Sequence, residues 1–237
     1  MMKASEIVAK AKEIATKYKT LYVLGCFGAP MTAKAKARYT QNQAYNASAT
    51  RKKMILSASA DTFGFDCVCL IKGILWGWKG DKNATYGGAK YCANGVPDMG
   101  SDGIMKYCSG VSTNFKGIVP GEVLHKKGHV GIYIGDGLAV ECTPAWDNKV
   151  QITAVANLGT KKGYHNRTWT DHGKLKYIDY TTPKPAPSTE EYYIVVKGDN
   201  MTKIAKAHGM TLAQLKKLNP QIENASLIHV GDKIRVK

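Results

Sequence analysis

Three side chains of types that do chemistry together stand in settings that suit it. Cys67 follows Asp66 and opens the run Cys67-Val68-Cys69-Leu70-Ile71-Lys72-Gly73-Ile74-Leu75-Trp76. His129 lies in Gly128-His129-Val130-Gly131-Ile132-Tyr133-Ile134-Gly135, and Glu141 follows twelve residues after it. A thiol, an imidazole that takes its proton and a carboxylate that orients the imidazole make a nucleophile, base and orienter set. Taken singly, each has an ordinary reading as well. Free cysteines are among the most buried residues, strand histidines are often just hydrogen-bonded, and a strand glutamate is often solvated.

The set works only if local structure brings it together. Asp66 is a good helix N-cap, and the residues after it are apolar almost all round, which predicts a helix buried in a core. Cys67 then sits in the first turn, where the helix dipole favours thiolate. Cys69 points about 200° away around a 3.6-residue helix, so one of the two thiols can face a cleft, and Cys67 is the candidate. The segment from His129 reads as a strand, Gly135-Asp136-Gly137 as a turn and Leu138 to Cys142 as a second strand. His129 and Glu141 share a face only if paired residue numbers sum to an even number. A two-residue loop at 136–137 pairs 135 with 138 and separates them. A three-residue loop at 135–137 pairs 134 with 138 and brings them together, with Gly137 supplying the left-handed residue such a loop needs.

The remaining elements follow from periodicity and breakers. Residues 5–18 carry Ile7, Val8, Ala11, Ile14, Ala15 and Tyr18 at helical spacing, with Ser5 as the expected cap. Leu21 to Leu24 is a short apolar run, and residues 46–58 read as a helix. Residues 79–115 read as a long loop with a short helix at 103–107. Strands are expected at 122–124, 129–134, 138–142 and 150–153. Helices first and strands later predict an α+β domain with an antiparallel sheet. Three prolines fall in 181–190, which predicts a semi-rigid linker over residues 181–191 between a domain at 1–180 and a small one at 192–237.

The chain has 237 residues and a net charge of +16. Residues 1–180 carry +12 and residues 192–237 carry +5, so the excess is no tail but a field that draws the protein to a polyanion. Nucleic acid is not the expected partner, because the aromatics follow no basic stripe and no nucleic-acid motif occurs. An anionic cell wall is the other candidate. No run reaches the ~18 apolar residues of a membrane span. The lysine-rich start lacks the apolar stretch of a signal peptide, so synthesis in a cytoplasm is expected. Six cysteines in such a compartment read as reduced thiols, and the one-residue gap between Cys67 and Cys69 does not fit a zinc knuckle. Neither metal nor cofactor is expected.

In order, Asp66-Cys67, Pro120-Gly121-Glu122-Val123 and the block Gly128 to Gly135 resemble the NlpC-type papain-like cell-wall cysteine peptidases, over most of residues 5–155. The resemblance implies a papain-like fold with Cys67 as nucleophile, His129 as base and Glu141 as orienter. It also implies a tyrosine facing the nucleophile, which maps to Tyr22 in Leu21-Tyr22-Val23-Leu24-Gly25. Val68-Cys69 stand where the family usually has Ser-Gly, and Glu141 where it more often has His, Asn or Gln; a Cys-His-Glu set also occurs in the related CHAP amidases. Residues 193–236 resemble a LysM domain, a small βααβ unit that binds N-acetylglucosamine-containing glycans. That resemblance places a binding groove at Gly198, Asp199, Asn200, Met201, Pro220 and Ile222, residues whose types also serve ordinary turns. Together the two resemblances imply a peptidoglycan hydrolase of the phage endolysin kind, which reaches the wall through a holin. They leave open a CHAP-like amidase and a catalytically dead wall-binding or phage structural protein.

Overall fold

The computed structural model describes residues 1–181, 192–220, 222, 224–225 and 227–236. The linker expected at 181–191 lies, Thr181 apart, outside the described residues. Contacts divide the chain into two units, Met1–Thr181 and Thr182–Lys237.

The larger unit begins with a short strand, β1 (Met2–Lys3), and helix α1 (Ala4–Lys17). Ile7, Ala11 and Ile14 of α1 are fully buried at the expected helical spacing. The expected cap is displaced: Ser5 lies inside the first turn, and the Glu6 carboxylate accepts from the Lys3 N–H at 2.7 Å instead. Strands β2 (Thr20–Tyr22) and β3 (Phe27–Pro30) follow, then helices α2 (Ala33–Asn42), α3 (Ala44–Ala47) and α4 (Ala49–Ser57). The expected helix at 46–58 is thus two helices, because Ser48 takes an extended conformation between them. α2 has no counterpart in the sequence reading. It buries only Tyr39 and Thr40, so it carries no apolar stripe to betray it.

Strand β4 (Phe63–Phe65) pairs parallel to β2 and antiparallel to β3, and leads directly into α5 (Cys67–Leu75). Asp66 caps α5 as expected, its Oδ1 accepting from Cys69 N at 2.7 Å while Oδ2 accepts from Gly25 N at 2.7 Å. All nine residues of α5 are buried. Each fully buried leucine or isoleucine there contributes about 1.5–3 kcal/mol. A side chain at Gly73 would put its Cβ 2.9 Å from the Phe27 carbonyl oxygen, so the glycine is what lets α5 lie this close to β3.

The main sheet comprises β5 (Cys108–Ser112), β6 (Val123–Lys126), β7 (His129–Gly135), β8 (Leu138–Cys142), β9 (Val150–Val155), β10 (Asn166–Arg167) and β11 (Asp171–Leu175). Among the described residues its order is β10-β9-β8-β7-β6-β11-β5. Every neighbouring pair is antiparallel except β9 with β10. β12 (Ile178–Asp179) returns to pair with β1. α1 and α5 cover one face of the sheet, where Ile7, Ile14, Leu70 and Ile71 share a core with Val130, Ile132 and Val140. The α+β class expected is the one observed. β5 and β11 were not anticipated; β5 falls in the stretch read as loop.

The β7–β8 hairpin resolves the question of parity in a way the sequence reading did not foresee. The loop is the two-residue one, with Asp136 and Gly137 both left-handed and Gly135 opposite Leu138. A bulge between Tyr133 and Gly135 absorbs the extra residue, so Tyr133 still pairs Ala139 and Ile132 still pairs Val140. The sum is even, and His129 and Glu141 share a face.

The smaller unit runs β13 (Tyr192–Ile194), α6 (Met201–Ala207), α7 (Leu212–Leu218) and β14 (Lys233–Arg235), with β13 antiparallel to β14. This is the expected βααβ order. Val195, Met201, Ile204, Ala205, Leu215, Ile234 and Val236 form its core. Among the described residues of the chain, no helix is long and apolar enough to cross a membrane.

Candidate active site

α5 packs against the strand that carries His129, so Cys67 and His129 stand on neighbouring elements. Cys67, at the first position of α5, is nearly buried and lines a cleft of about 940 Å³ with Tyr22, Asp66, Trp76, Tyr86 and Gly128. Burial pushes the Cys67 thiol up to about 12, and the neighbouring Asp66 carboxylate adds to the shift. The Val130 backbone, one residue beyond His129, opposes it. The thiolate that the helix dipole alone was expected to favour is therefore outweighed in the resting protein. Cys69 is equally buried, and burial raises its thiol well above the ordinary value.

Tyr22 ends β2 beside this thiol. Burial raises its phenol, and the charges of Cys67 and Asp66 follow as causes, so the ring is electrostatically in view of Cys67. Arg51 of α4 holds it from behind. The Arg51 guanidinium donates to the Tyr22 carbonyl and to Asn148 Oδ1, and lies 5.5 Å from the Tyr22 ring centre.

His129 Nε2 lies 2.7 Å from Glu141 Oε2. Glu141 is fully buried, and its carboxylate has three partners, not one. Thr153 Oγ1 donates to Oε1 at 2.6 Å, and Arg167 Nε lies 2.6 Å from Oε2 and 2.9 Å from Oε1. Burial alone would raise the Glu141 carboxyl; the bonds from His129 and Arg167 outweigh it and hold the group below its usual range. Glu141 therefore stays ionised. Nε2 is thus the ring nitrogen that Glu141 engages.

The imidazole plane is fixed too. The Trp169 ring stacks on it at 5.5 Å between centres and 10° between planes. Gly131 makes room for that indole, since a Cβ there would fall 2.9 Å from the Trp169 ring and 3.2 Å from the Val140 carbonyl. Trp146, with a left-handed backbone, and His165 stack at 4.9 Å, and the Trp146 ring also packs on the Arg167 guanidinium at 4.6 Å. Thr153, Arg167 and Trp169 escaped the sequence reading. The one signal for two of them was Arg167-Thr168-Trp169, a charge and an aromatic two residues apart and so on one face of an extended segment.

A strap beside the cleft is tied at both ends. The Lys72 ammonium of α5 pairs with Asp98 and donates to the Met99 carbonyl at 2.9 Å. Asp102 accepts from the Gly128 N–H at 2.6 Å and lies 3.1 Å from His125 Nε2, while His125 Nδ1 faces Asp171 at 2.8 Å. Gly100 and Ser101, between those anchors, line the cleft. Among the described residues no group of three or more histidines, cysteines and acids could hold a metal ion.

In the smaller unit the residues expected to line a groove are mostly spent on the fold. Met201 is 1% exposed and belongs to the core, so it is unavailable to a ligand. Asn200 caps α6 by accepting from Lys203 N at 2.8 Å. Asp199 accepts from Val196 N at 2.9 Å and from the Tyr193 hydroxyl at 2.8 Å. Gly198 turns the chain with a left-handed φ of +93°. Pro220 is exposed, and Ile222 is half-buried and packs against the core of the unit.

Comparison with known proteins adds the following. The endolysin of Bacillus phage PZA is 38% identical over 90 residues, covering 38% of this chain and 29% of that protein. The endolysin of Bacillus phage B103 is 36% identical over 76 residues, covering 32% and 29%. A chlorophenol reductase of Desulfitobacterium hafniense is 54% identical over 56 residues, covering 24% and 16%. The chain thus spans less than a third of the length of these curated relatives. Among solved structures, NlpC2 from Trichomonas vaginalis aligns over 73% of this chain and 46% of its own, at 14% identity and a TM-score of 0.37. Residues 193–237 match the family model of the LysM domain, and the chain therefore carries a LysM domain in its smaller unit.

Proposed function

We propose that the chain is a peptidoglycan hydrolase in which Cys67, His129 and Glu141 cleave an amide bond of the wall's stem peptide and the LysM domain holds the enzyme on the glycan. The observation that carries this reading is the 2.7 Å bond from His129 Nε2 to a buried, ionised Glu141, on a strand packed against the helix that Cys67 opens. Similarity to two phage endolysins and the LysM match support the wall as the place of action.

A thiol pushed up to about 12 does not lose its proton to water at neutral pH. It gives the proton to His129 Nδ1 as the substrate carbonyl arrives, and Glu141 stabilises the imidazolium that forms. Sulfur bonds to the carbonyl carbon, and negative charge develops on the oxygen near the positive end of α5. His129 then protonates the leaving amine, the C–N bond breaks and a thioester remains. Water, deprotonated by the same imidazole, releases the acid and restores the thiol. Tyr22 keeps its proton throughout, so its role is to shape the cleft and offer a hydrogen bond.

Docking on glycan raises the local concentration of the active unit over its substrate without adding a contact to the scissile bond. Digestion of purified peptidoglycan followed by mass spectrometry of the fragments tests the whole reading. New amine and acid ends within the stem peptide, absent with Cys67→Ser, are expected. Fragments cut between glycan and peptide would identify an amidase instead, and no Cys67-dependent fragments would sink the proposal.

A further inference from the structure

A second cavity, of about 180 Å³, lies beside the cleft and shares Arg38 and Tyr86 with it. Three cationic side chains line it, Lys34, Arg38 and Lys82, together with the neutral hydrogen-bonding side chains of Thr32, Asn83 and Thr85. Among the described residues no acidic side chain lines it. None of the three cations is in an ion pair with a described carboxylate. The nearest acid in sequence, Asp81, is occupied in accepting from Asn83 N at 2.8 Å.

Arg38 is braced by its neighbours. Its guanidinium donates to the Tyr86 hydroxyl and lies 5.5 Å from the Tyr86 ring centre and 5.9 Å from that of Tyr39. One of its five N–H donors is spent on that bond, and the planar fork is braced by two aromatic faces. α2 begins in the same wall, with Thr32 and Ala35 lining the cavity, and its first turn adds partial positive charge. Three like charges around so small a volume repel one another, and an anion among them relieves that repulsion. A carboxylate has two oxygens in one plane. A phosphate has oxygens in four directions and can meet separate cations and hydroxyl donors at once.

We propose that this cavity binds a phosphate group, and that the phosphate belongs to a phosphodiester polymer running beside the strand that fills the cleft. The +12 carried by residues 1–180 brings such a polymer near, and the cavity gives it one defined place to dock. The site needs no hydrolysis, so its test stands apart from the proposed reaction.

The test uses the full chain and compares wild type, Lys34→Glu/Lys82→Glu, and Lys161→Glu/Lys162→Glu at fixed ionic strength. All four lysines are exposed, and the two variants carry the same change in net charge. Each protein, shown folded by circular dichroism, is titrated with poly(glycerol phosphate), with inorganic phosphate and with polyglutamate. Wild type and the 161/162 variant are expected to bind poly(glycerol phosphate) alike, and the 34/82 variant at least tenfold more weakly. Amide shifts on phosphate addition are expected at residues 32–35 and 82–85. Equal losses in both variants would reduce the cavity to part of a general field and overturn the proposal. Shifts at 32–35 and 82–85 with inorganic phosphate alone, and equal polymer binding by all three proteins, would make the ligand a free anion and overturn the polymer. Polyglutamate bound as tightly as poly(glycerol phosphate) at this site would overturn the phosphate.

Discussion

The larger and the smaller unit each carry a run of residues that reads as functional, and the two runs are used differently. In the larger unit the chemical groups stay available: Cys67 lines a cleft, and His129 keeps one ring nitrogen after Glu141 takes the other. In the smaller unit Asp199 is engaged by a turn and Asn200 by a helix cap at the surface, while Met201 lies in the core. On the proposed function, the motif of the larger unit marks the atoms that react, and the motif of the smaller unit marks the turns that shape a binding surface.

The largest effect that sharpens this contrast is at the nucleophile. Cys67→Ser is expected to lower hydrolysis of soluble stem-peptide fragments by on the order of a thousandfold or more, the scale seen when a triad member is removed. Cys69→Ser should stay within a few-fold, and iodoacetamide should label Cys67 with parallel loss of activity. Full activity of Cys67→Ser, with loss in Cys69→Ser, would move the reaction to the other thiol.

Next comes the carboxylate. Glu141→Ala leaves the half-buried Arg167 guanidinium without its carboxylate partner, a defect that costs at most the roughly 3–5 kcal/mol of a fully buried broken pair, and it frees the imidazole as well. Glu141→Gln keeps an acceptor and should lose activity by a smaller factor, with a fold closer to wild type. Unchanged kcat in both would reduce Glu141 to a structural part. The same group gives a pH dependence. Its native pKa is lowered, so it stabilises the fold above the ordinary carboxylate range, and that contribution is lost as pH falls through the lowered value. Thermal unfolding of wild type should therefore weaken on acidification more than that of Glu141→Gln, and parallel curves would contradict the ionised assignment.

How much of this arrangement could be read in advance depended on distance along the chain. α5 was legible because its cap and its apolar run are contiguous, from Asp66 to Trp76. The shared face of His129 and Glu141 was expected from a three-residue loop that does not form; the two-residue loop alone would separate them, and the bulge that restores the parity depends on how Tyr133 and Gly135 meet β8. Arg167 and Thr153 reach Glu141 only through the register of β8 to β10, and short-range patterns do not record that. α2 stayed hidden because a helix that buries so little needs no stripe.

The smallest effects break or confirm the contrast in the other unit. Deleting residues 192–237 should slow digestion of intact walls and leave soluble fragments cut at the wild-type rate; a folded 1–180 chain inactive on both would reject the division of labour. Asn200→Ala should cost the smaller unit about 1 kcal/mol through loss of its cap, read as a lower melting temperature. Pro220→Ala should leave melting unchanged and weaken glycan pull-down. The reverse pattern would return Asn200 to the binding surface.

Gly131 has a consequence for anyone who wishes to move this machinery. The position is empty because the Trp169 indole occupies the volume a side chain would need, and the indole in turn sets the plane of His129. Glycine and tryptophan are therefore one part made in two pieces, 38 residues apart on the chain. A graft that carries the His-Val-Gly segment to another scaffold without the tryptophan would transfer a hole, and the imidazole would tumble in it. Conversely, a library randomised at 131 should return glycine wherever 169 is left as tryptophan. It should relax toward alanine or serine only in clones that have already given up the ring.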